Sequence, residues 1–386
     1  MRQILKITGI LAFICLVCSC REETVVFPSE ETKVDSVTAT AEYAGVYVLN
    51  EGNMGSNKST LDYFNFETGS YKRNIYAEIN PTVPKELGDV GNDLEIYGNK
   101  LYAVINCSNK IEVMDARTAR RLGQIDIPNC RYIRFDKQYA YITSYAGPVE
   151  INPEYTQKGY VVKVDTATLQ IVARCIVGFQ PEELLIASGK IYVANSGGYM
   201  GAGNSDNYER TVSVIDLNTF QEEKRIDVDY NLHHIKTDKR GDLWVSSRGD
   251  YKGHPSRLFF LDRNQQKITD TIDVAAGNYC IVGDSLYACS VEWSYVTYHN
   301  EITYSIINTQ THKIVTRNFI TDGTDSQIEI PYGIFVHPHT KDIYITDAGD
   351  YISPGMLYCF DRTGKKKWSF QTGDIPAHIA LLPKNK

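Results

Sequence analysis

The chain has 386 residues, 42% hydrophobic and 23% charged, with a formal net charge of −7. That length and apolar content allow one large domain or two ordinary ones and argue against disorder. The acidic balance, with no basic run to offset it, excludes an electrostatic nucleic-acid binder or a patch for an anionic membrane.

In chain order, Met1 to Lys6 is a short basic start and Ile7 to Val17 an apolar run too brief to span a bilayer, as in a secretory signal. The run ends in Val17-Cys18-Ser19-Cys20, which resembles a bacterial lipobox, with Cys20 fitting the lipidated position better than Cys18; ordinary cleavage in a Cys-rich signal is the alternative. Residues 1–19 are therefore expected to be removed, leaving 38 basic residues against 47 acidic. Residues 20–42, opening on Arg21-Glu-Glu, read as an acidic, flexible tether.

From residue 43 to 386 one unit recurs: an apolar strand, a Gly or Asp turn, a Leu-Tyr-Val type strand, a variable loop, a strand ending in Asp, and an amphipathic strand. The second strand is visible seven times, at Val46-Tyr-Val48, Leu101-Tyr-Ala103, Ala140-Tyr-Ile142, Ile191-Tyr-Val193, Leu243-Trp-Val245, Leu286-Tyr-Ala288 and Ile343-Tyr-Ile345. The third ends in Asp115, Asp165, Asp216, Asp262 and Asp361, with Asn65 and Asn308 in the first and sixth copies. Asp or Asn there can accept backbone N–H groups two and three residues on and so fix the reversal. Four short strands per unit, seven times over, predict an all-β, seven-bladed β-propeller with four antiparallel strands per blade. Asp374 to Leu382 reads as a first strand without a second and Gly45 to Val48 as a second without a first, so the C-terminal strand should close the N-terminal blade. The repeat also pairs Cys280 with Cys289 and Cys107 with Cys130 as candidate disulfides, buried thiols being the alternative; Cys175 and Cys359 should be free. No cysteine spacing suits zinc.

Loops between second and third strands open on the face where the blades join. They carry Tyr145, Tyr155, Tyr199, Tyr208, Tyr251, Trp293, Tyr295, Tyr298 and Tyr351, with Asn50, Asn195 and Arg248 among them. Rigid amphipathic rings mixed with small polar groups make a recognition surface, the alternative being loops that pack their own rings. The regularly repeated tyrosines, such as Tyr47 and Tyr102, belong to the core. The joints between blades place Asp93, Arg131, Tyr132, Glu182, His233, His234, Tyr279, Tyr332 and His378 around the mouth of the central channel. That set either binds an ion, performs acid–base chemistry, or satisfies itself and ordered water. His233 and His234, adjacent in a strand, should point to opposite faces and not share a metal. Neither a phosphate loop nor a nucleophile elbow occurs, so no catalytic residue, metal or required cofactor is assigned.

The repeated Leu-Tyr-Val strands and Asp-x-x-Thr turns resemble the bacterial YncE-like propellers. With the lipobox, the acidic tether and the opening Val48-Leu-Asn-Glu-Gly-Asn53, the chain is similar to Bacteroidetes surface lipoproteins of the BtuG type. That resemblance implies a non-enzymatic, lipid-anchored outer-membrane protein that captures cobalamin at the cell surface and passes it to a BtuB-type TonB-dependent transporter. Competing expectations are a glycan-binding propeller, a structural propeller whose rim docks only onto a partner lipoprotein or transporter, and a hydrolase or lyase at the channel mouth.

Overall fold

The structure, a computed structural model, describes residues 29–384 except 35–36, 38–39, 85, 149, 152–153, 155, 203 and 295–297. The signal segment, Cys20, Tyr155 and Tyr295 lie outside the described residues. The described strands form seven antiparallel sheets, the blades of a propeller. Their innermost strands are Pro376–Pro383 in blade 1, Gly91–Tyr97, Cys130–Asp136, Pro181–Ala187, Leu232–Thr237, Asn278–Val282 and Pro331–Val336 in blade 7. Each touches the next, and the last touches the first, so they surround a channel.

A four-stranded sheet must cover both of its faces, and here each face packs on a neighbouring blade. In Lys100–Ile105, the residues Leu101, Ala103 and Ile105 turn toward blade 1, while Tyr102 and Val104 turn toward blade 3. Seven apolar clusters result, one in each cleft between blades. This explains why the second strands are nearly continuous apolar runs whereas an outer strand such as Ile171–Ile176 alternates. The repeated ring is core: Tyr47, Tyr102, Tyr141, Tyr192 and Trp244 are buried, and Tyr47 Oη donates to the Ala116 carbonyl at 2.9 Å.

The closing device is present. Pro376–Pro383 pairs antiparallel with Tyr43–Asn50, giving blade 1 its innermost strand from the C-terminus. The side chains of Asn65, Asp115, Asp165, Asp216, Asp262 and Asn308 each accept two backbone N–H groups, two and three residues on, at 2.8–3.1 Å. The Thr118 hydroxyl and then those backbone groups hold the Asp115 carboxyl below the usual carboxylate range, and the Thr168 N–H and hydroxyl do the same for Asp165.

Two expectations are corrected. Part of the segment read as tether, Glu30–Lys33, pairs with Ser70–Arg73 as a fifth strand on the outer edge of blade 1. All six described cysteines are free thiols. Cys280 faces Tyr287 and Cys289 faces Asn278, so the two are offset by two residues along the hairpin. Cys107 Sγ contacts its neighbour Asn106 Oδ1, and Cys130 Sγ lies 3.3 Å from the Lys110 carbonyl, so neither is directed into a bridge.

Candidate ligand-binding face

The innermost strands start on the face that carries the loops between second and third strands. Six of the seven are bulged at that end. In blades 3, 4, 5 and 7 the pairs Arg131/Tyr132, Glu182/Glu183, His233/His234 and Tyr332/Gly333 each oppose a single residue of the second strand. Blades 2 and 1 gain one residue at Asn92 and Ala377, and only blade 6 is regular. A bulge breaks the two-residue alternation and re-aims side chains. The hydroxyl of the opposed residue accepts a bulge N–H: Thr143 from Tyr132 at 3.1 Å, Ser246 from His234 at 3.1 Å, and Thr346 from Gly333 at 2.6 Å. Thr143 also donates to the Glu182 carbonyl at 2.9 Å, tying blade 3 to blade 4.

The bulge overturns the expectation that His233 and His234 face opposite ways. Their rings lie 3.7 Å apart, both among the channel groups. No cluster of three potential metal-binding side chains occurs among the described residues.

The channel groups form two tiers. In the upper tier, Arg131 Nε and Nη2 donate to Glu182 Oε2 at 3.0 and 2.8 Å, and Tyr145 Oη donates to Glu182 Oε1 at 2.5 Å. Arg248 Nη1 lies 3.5 Å from the same Oε1, while its Nη2 donates to His233 Nε2 at 2.7 Å. Burial alone would raise the Glu182 carboxyl, but the two guanidiniums and the Tyr145 hydroxyl outweigh it and hold it below the usual range. In the lower tier, Glu183 accepts from His234 Nδ1 at 2.8 Å, from Lys236 Nζ at 2.9 Å and from Arg134 Nη2. Arg134 also reaches Asp93 at 2.7 Å, and Asp93 accepts the Ile133 N–H at 2.9 Å. Glu183 is thereby held well below the carboxylate range against its burial. Burial in the channel, with Asp93 nearby, pushes the Glu95 carboxyl up to about 7 against the pull of Arg134. Burial and the adjacent Arg248 charge keep His233 well below the ordinary imidazole range, and burial lowers His234 despite its bond to Glu183. Across the mouth, Tyr332 Oη donates to Glu51 Oε2 at 2.9 Å and His378 Nε2 sits 3.3 Å from Oε1. Tyr279 is buried and donates to the Trp244 carbonyl at 2.5 Å.

The rim residues divide. Tyr251, Trp293, Tyr298 and Tyr351 are 60, 52, 74 and 37% exposed. The three tyrosines adopt left-handed backbone, with φ of 57, 58 and 63°. That conformation costs a non-glycine residue roughly 1–2 kcal/mol. Four others are not rim groups. Asn50 and Asn195 are buried beneath it, their carboxamides donating to Thr60 Oγ1 at 3.0 Å and Ser213 Oγ at 2.9 Å, because each ends a second strand whose side chain turns into the blade. Tyr145 belongs to the Glu182 network, and Tyr208 is buried against Gly201, where any Cβ would strike its ring. Tyr199 is half-buried, its ring edge-on to Tyr145 at 6.2 Å, and Arg248 retains 32% of its side-chain surface. Met54, Ile151 and Ile352, exposed on loops of the same face, were missed by looking only for aromatic side chains. With them, seven of the eleven exposed large apolar side chains among the described residues lie on this one face, on loops of blades 1, 3, 5 and 7 and on the blade 6 connection, which is not the expected loop but an extended hairpin of Ser285–Ser294 and His299–Asn308 with Trp293 opposite Asn300.

No curated protein matches the sequence. Among solved structures, the chain is similar to the hydrazine synthase of Kuenenia stuttgartiensis, at 16% identity over 70% of this chain and 76% of that one, with a TM-score of 0.56, a likeness of fold alone. A protein of unknown function from Bacteroides caccae aligns at 12% identity over 88% of this chain and 99% of that one, with a TM-score of 0.47. A family model described as a domain of unknown function, DUF5074, matches residues 44–376, nearly the whole propeller, and the chain belongs to that family.

Proposed function

We propose that this propeller is a binding protein that captures a broad, partly apolar ligand on the loop-bearing face, and that the ligand is cobalamin. The observation that carries the reading is the collection of exposed Trp293, Tyr298, Tyr251, Tyr351, Met54, Ile151 and Ile352 on one face of a rigid ring. Exposed apolar groups gathered in one region, and not scattered, favour a binding surface. A corrin ring has broad apolar faces and an edge of amides, which suits aromatic contacts around a polar mouth. A rim on a closed ring has little left to order on binding. Binding is favoured over chemistry because Glu182 and Glu183 are each tied to cations and kept ionised, and Glu95, the channel carboxyl raised toward neutrality, is paired with Arg134 at 3.1 Å. In this reading Cys20 anchors the chain by lipid to the outer membrane, facing outward, and cobalamin passes to a BtuB-type TonB-dependent transporter.

The test is titration of purified protein with cobalamin, following visible absorption and tryptophan fluorescence. Trp244 and Trp368 are buried and Trp293 is exposed, so quenching should fall on the solvent-exposed component and vanish in Trp293→Phe. No spectral change at micromolar ligand contradicts the proposal.

A further inference from the structure

The upper tier of the mouth contains a cation whose charge is incompletely met. Glu182 is fully engaged, receiving both donors of Arg131 on one oxygen and Tyr145 on the other. Arg248 reaches that carboxylate only at 3.5 Å, and its short bond, 2.7 Å, goes to His233 Nε2. A guanidinium can only donate, so Nε2 is the acceptor and the neutral ring carries its proton on Nδ1. His233 is more than nine-tenths buried and its Nδ1 has no hydrogen-bond partner among the described residues. The result is a buried neutral ring whose Nε2 is approached by both the Arg248 guanidinium and the Tyr132 hydroxyl, the latter at 3.0 Å. Two arginines, Arg131 and Arg248, share the Glu182 carboxylate. Glu51 stands across the mouth, occupied by Tyr332 and His378.

We infer that the Arg248–His233 side of the mouth is a subsite for an oxyanion of the captured ligand, a phosphodiester or a carboxylate. The oxyanion would complete the Arg248 charge beside the His233 ring, which accepts from the same guanidinium and so reports its arrival, and charged hydrogen bonds of this kind are the strong ones. This inference rests on the binding role proposed above and names the chemical group that the polar mouth recognises.

Two measurements separate the subsite from the identity of the ligand. In protein carrying ¹⁵N-histidine, with His233 assigned through His233→Gln, inorganic phosphate and acetate are titrated separately. A saturable shift of the His233 nitrogens with either anion supports the subsite, and the anion that acts identifies the group. Absence of a shift with both at tens of millimolar overturns it. Cobalamin is then compared with cobinamide, which has the same ring but lacks the nucleotide loop and its phosphodiester. Where phosphate is the effective anion, wild-type protein should prefer cobalamin by roughly tenfold or more. In Arg248→Gln, and in Arg248→Met should the first variant fold poorly, that preference should fall toward one. An equal preference in wild type and variant overturns the assignment to Arg248. Phosphate shifts without any cobalamin binding leave the subsite standing and refute the cobalamin reading alone.

Discussion

Replacing Thr143 with valine keeps the shape of a fully buried side chain and removes one hydroxyl. That hydroxyl accepts the Tyr132 N–H at 3.1 Å and donates to the Glu182 carbonyl at 2.9 Å. Both partners are backbone groups at bulges, displaced from the regular ladder. Orphaning a buried donor or acceptor costs about 1–3 kcal/mol each. Local relaxation and the gain from burying a methyl offset part of this, so Thr143→Val should lose roughly 2–4 kcal/mol. With an unfolding entropy of about 2 cal/mol/K per residue over about 340 residues, that is a fall in Tm of roughly 3–6 °C. The assay is thermal and urea denaturation beside Thr118→Val, whose hydroxyl serves only an exposed turn. A Thr143→Val protein as stable as wild type, or no worse than Thr118→Val, refutes the view that hydroxyls of the second strands sustain the bulges and hence the mouth.

Asn65→Ala removes the acceptor of two turn N–H groups and should cost about 1 kcal/mol in denaturant melts, whereas Asn65→Asp should be nearly neutral. Because the His233 value is depressed in the folded state, the unfolded chain binds the proton first, and stability falls as pH drops below about 6.5. Glu95, raised in the fold, titrates in the opposite sense, so the readout is the difference between wild type and His233→Gln. Wild type should lose stability relative to the variant between pH 7 and 5, and parallel curves contradict the buried neutral imidazole. Alkylating denatured, unreduced protein should modify Cys107, Cys130, Cys175, Cys280, Cys289 and Cys359 alike; mass spectrometry finding a protected pair restores one of the candidate bridges.

The architecture was legible because it is repeated and local. Each Leu-Tyr-Val strand is apolar on both faces since both are covered, and each Asp or Asn turn works within three residues. The closing strand was legible as two unmatched halves of one unit. The mouth was only partly legible. Its residues were identifiable from the joints between blades, but their directions were not, because alternation fails at a bulge. The available signal was two adjacent polar residues inside an apolar strand, with a hydroxyl about a dozen residues later: Arg131/Tyr132 with Thr143, and His233/His234 with Ser246. Asn50 and Asn195 were assigned to the rim by their place at loop entrances, although each is the last ladder residue of its strand, where the side chain still turns into the blade.

The most direct test of ligand capture on the loop-bearing face is hydrogen exchange of the purified protein, followed by mass spectrometry, with and without saturating cobalamin. Expected is protection in the segments containing Tyr251, Trp293 to Glu301 and Tyr351, with the hairpins of the opposite face unchanged. Unaltered exchange in those three segments, or protection confined to the Asp165 and Asp216 turns, contradicts it.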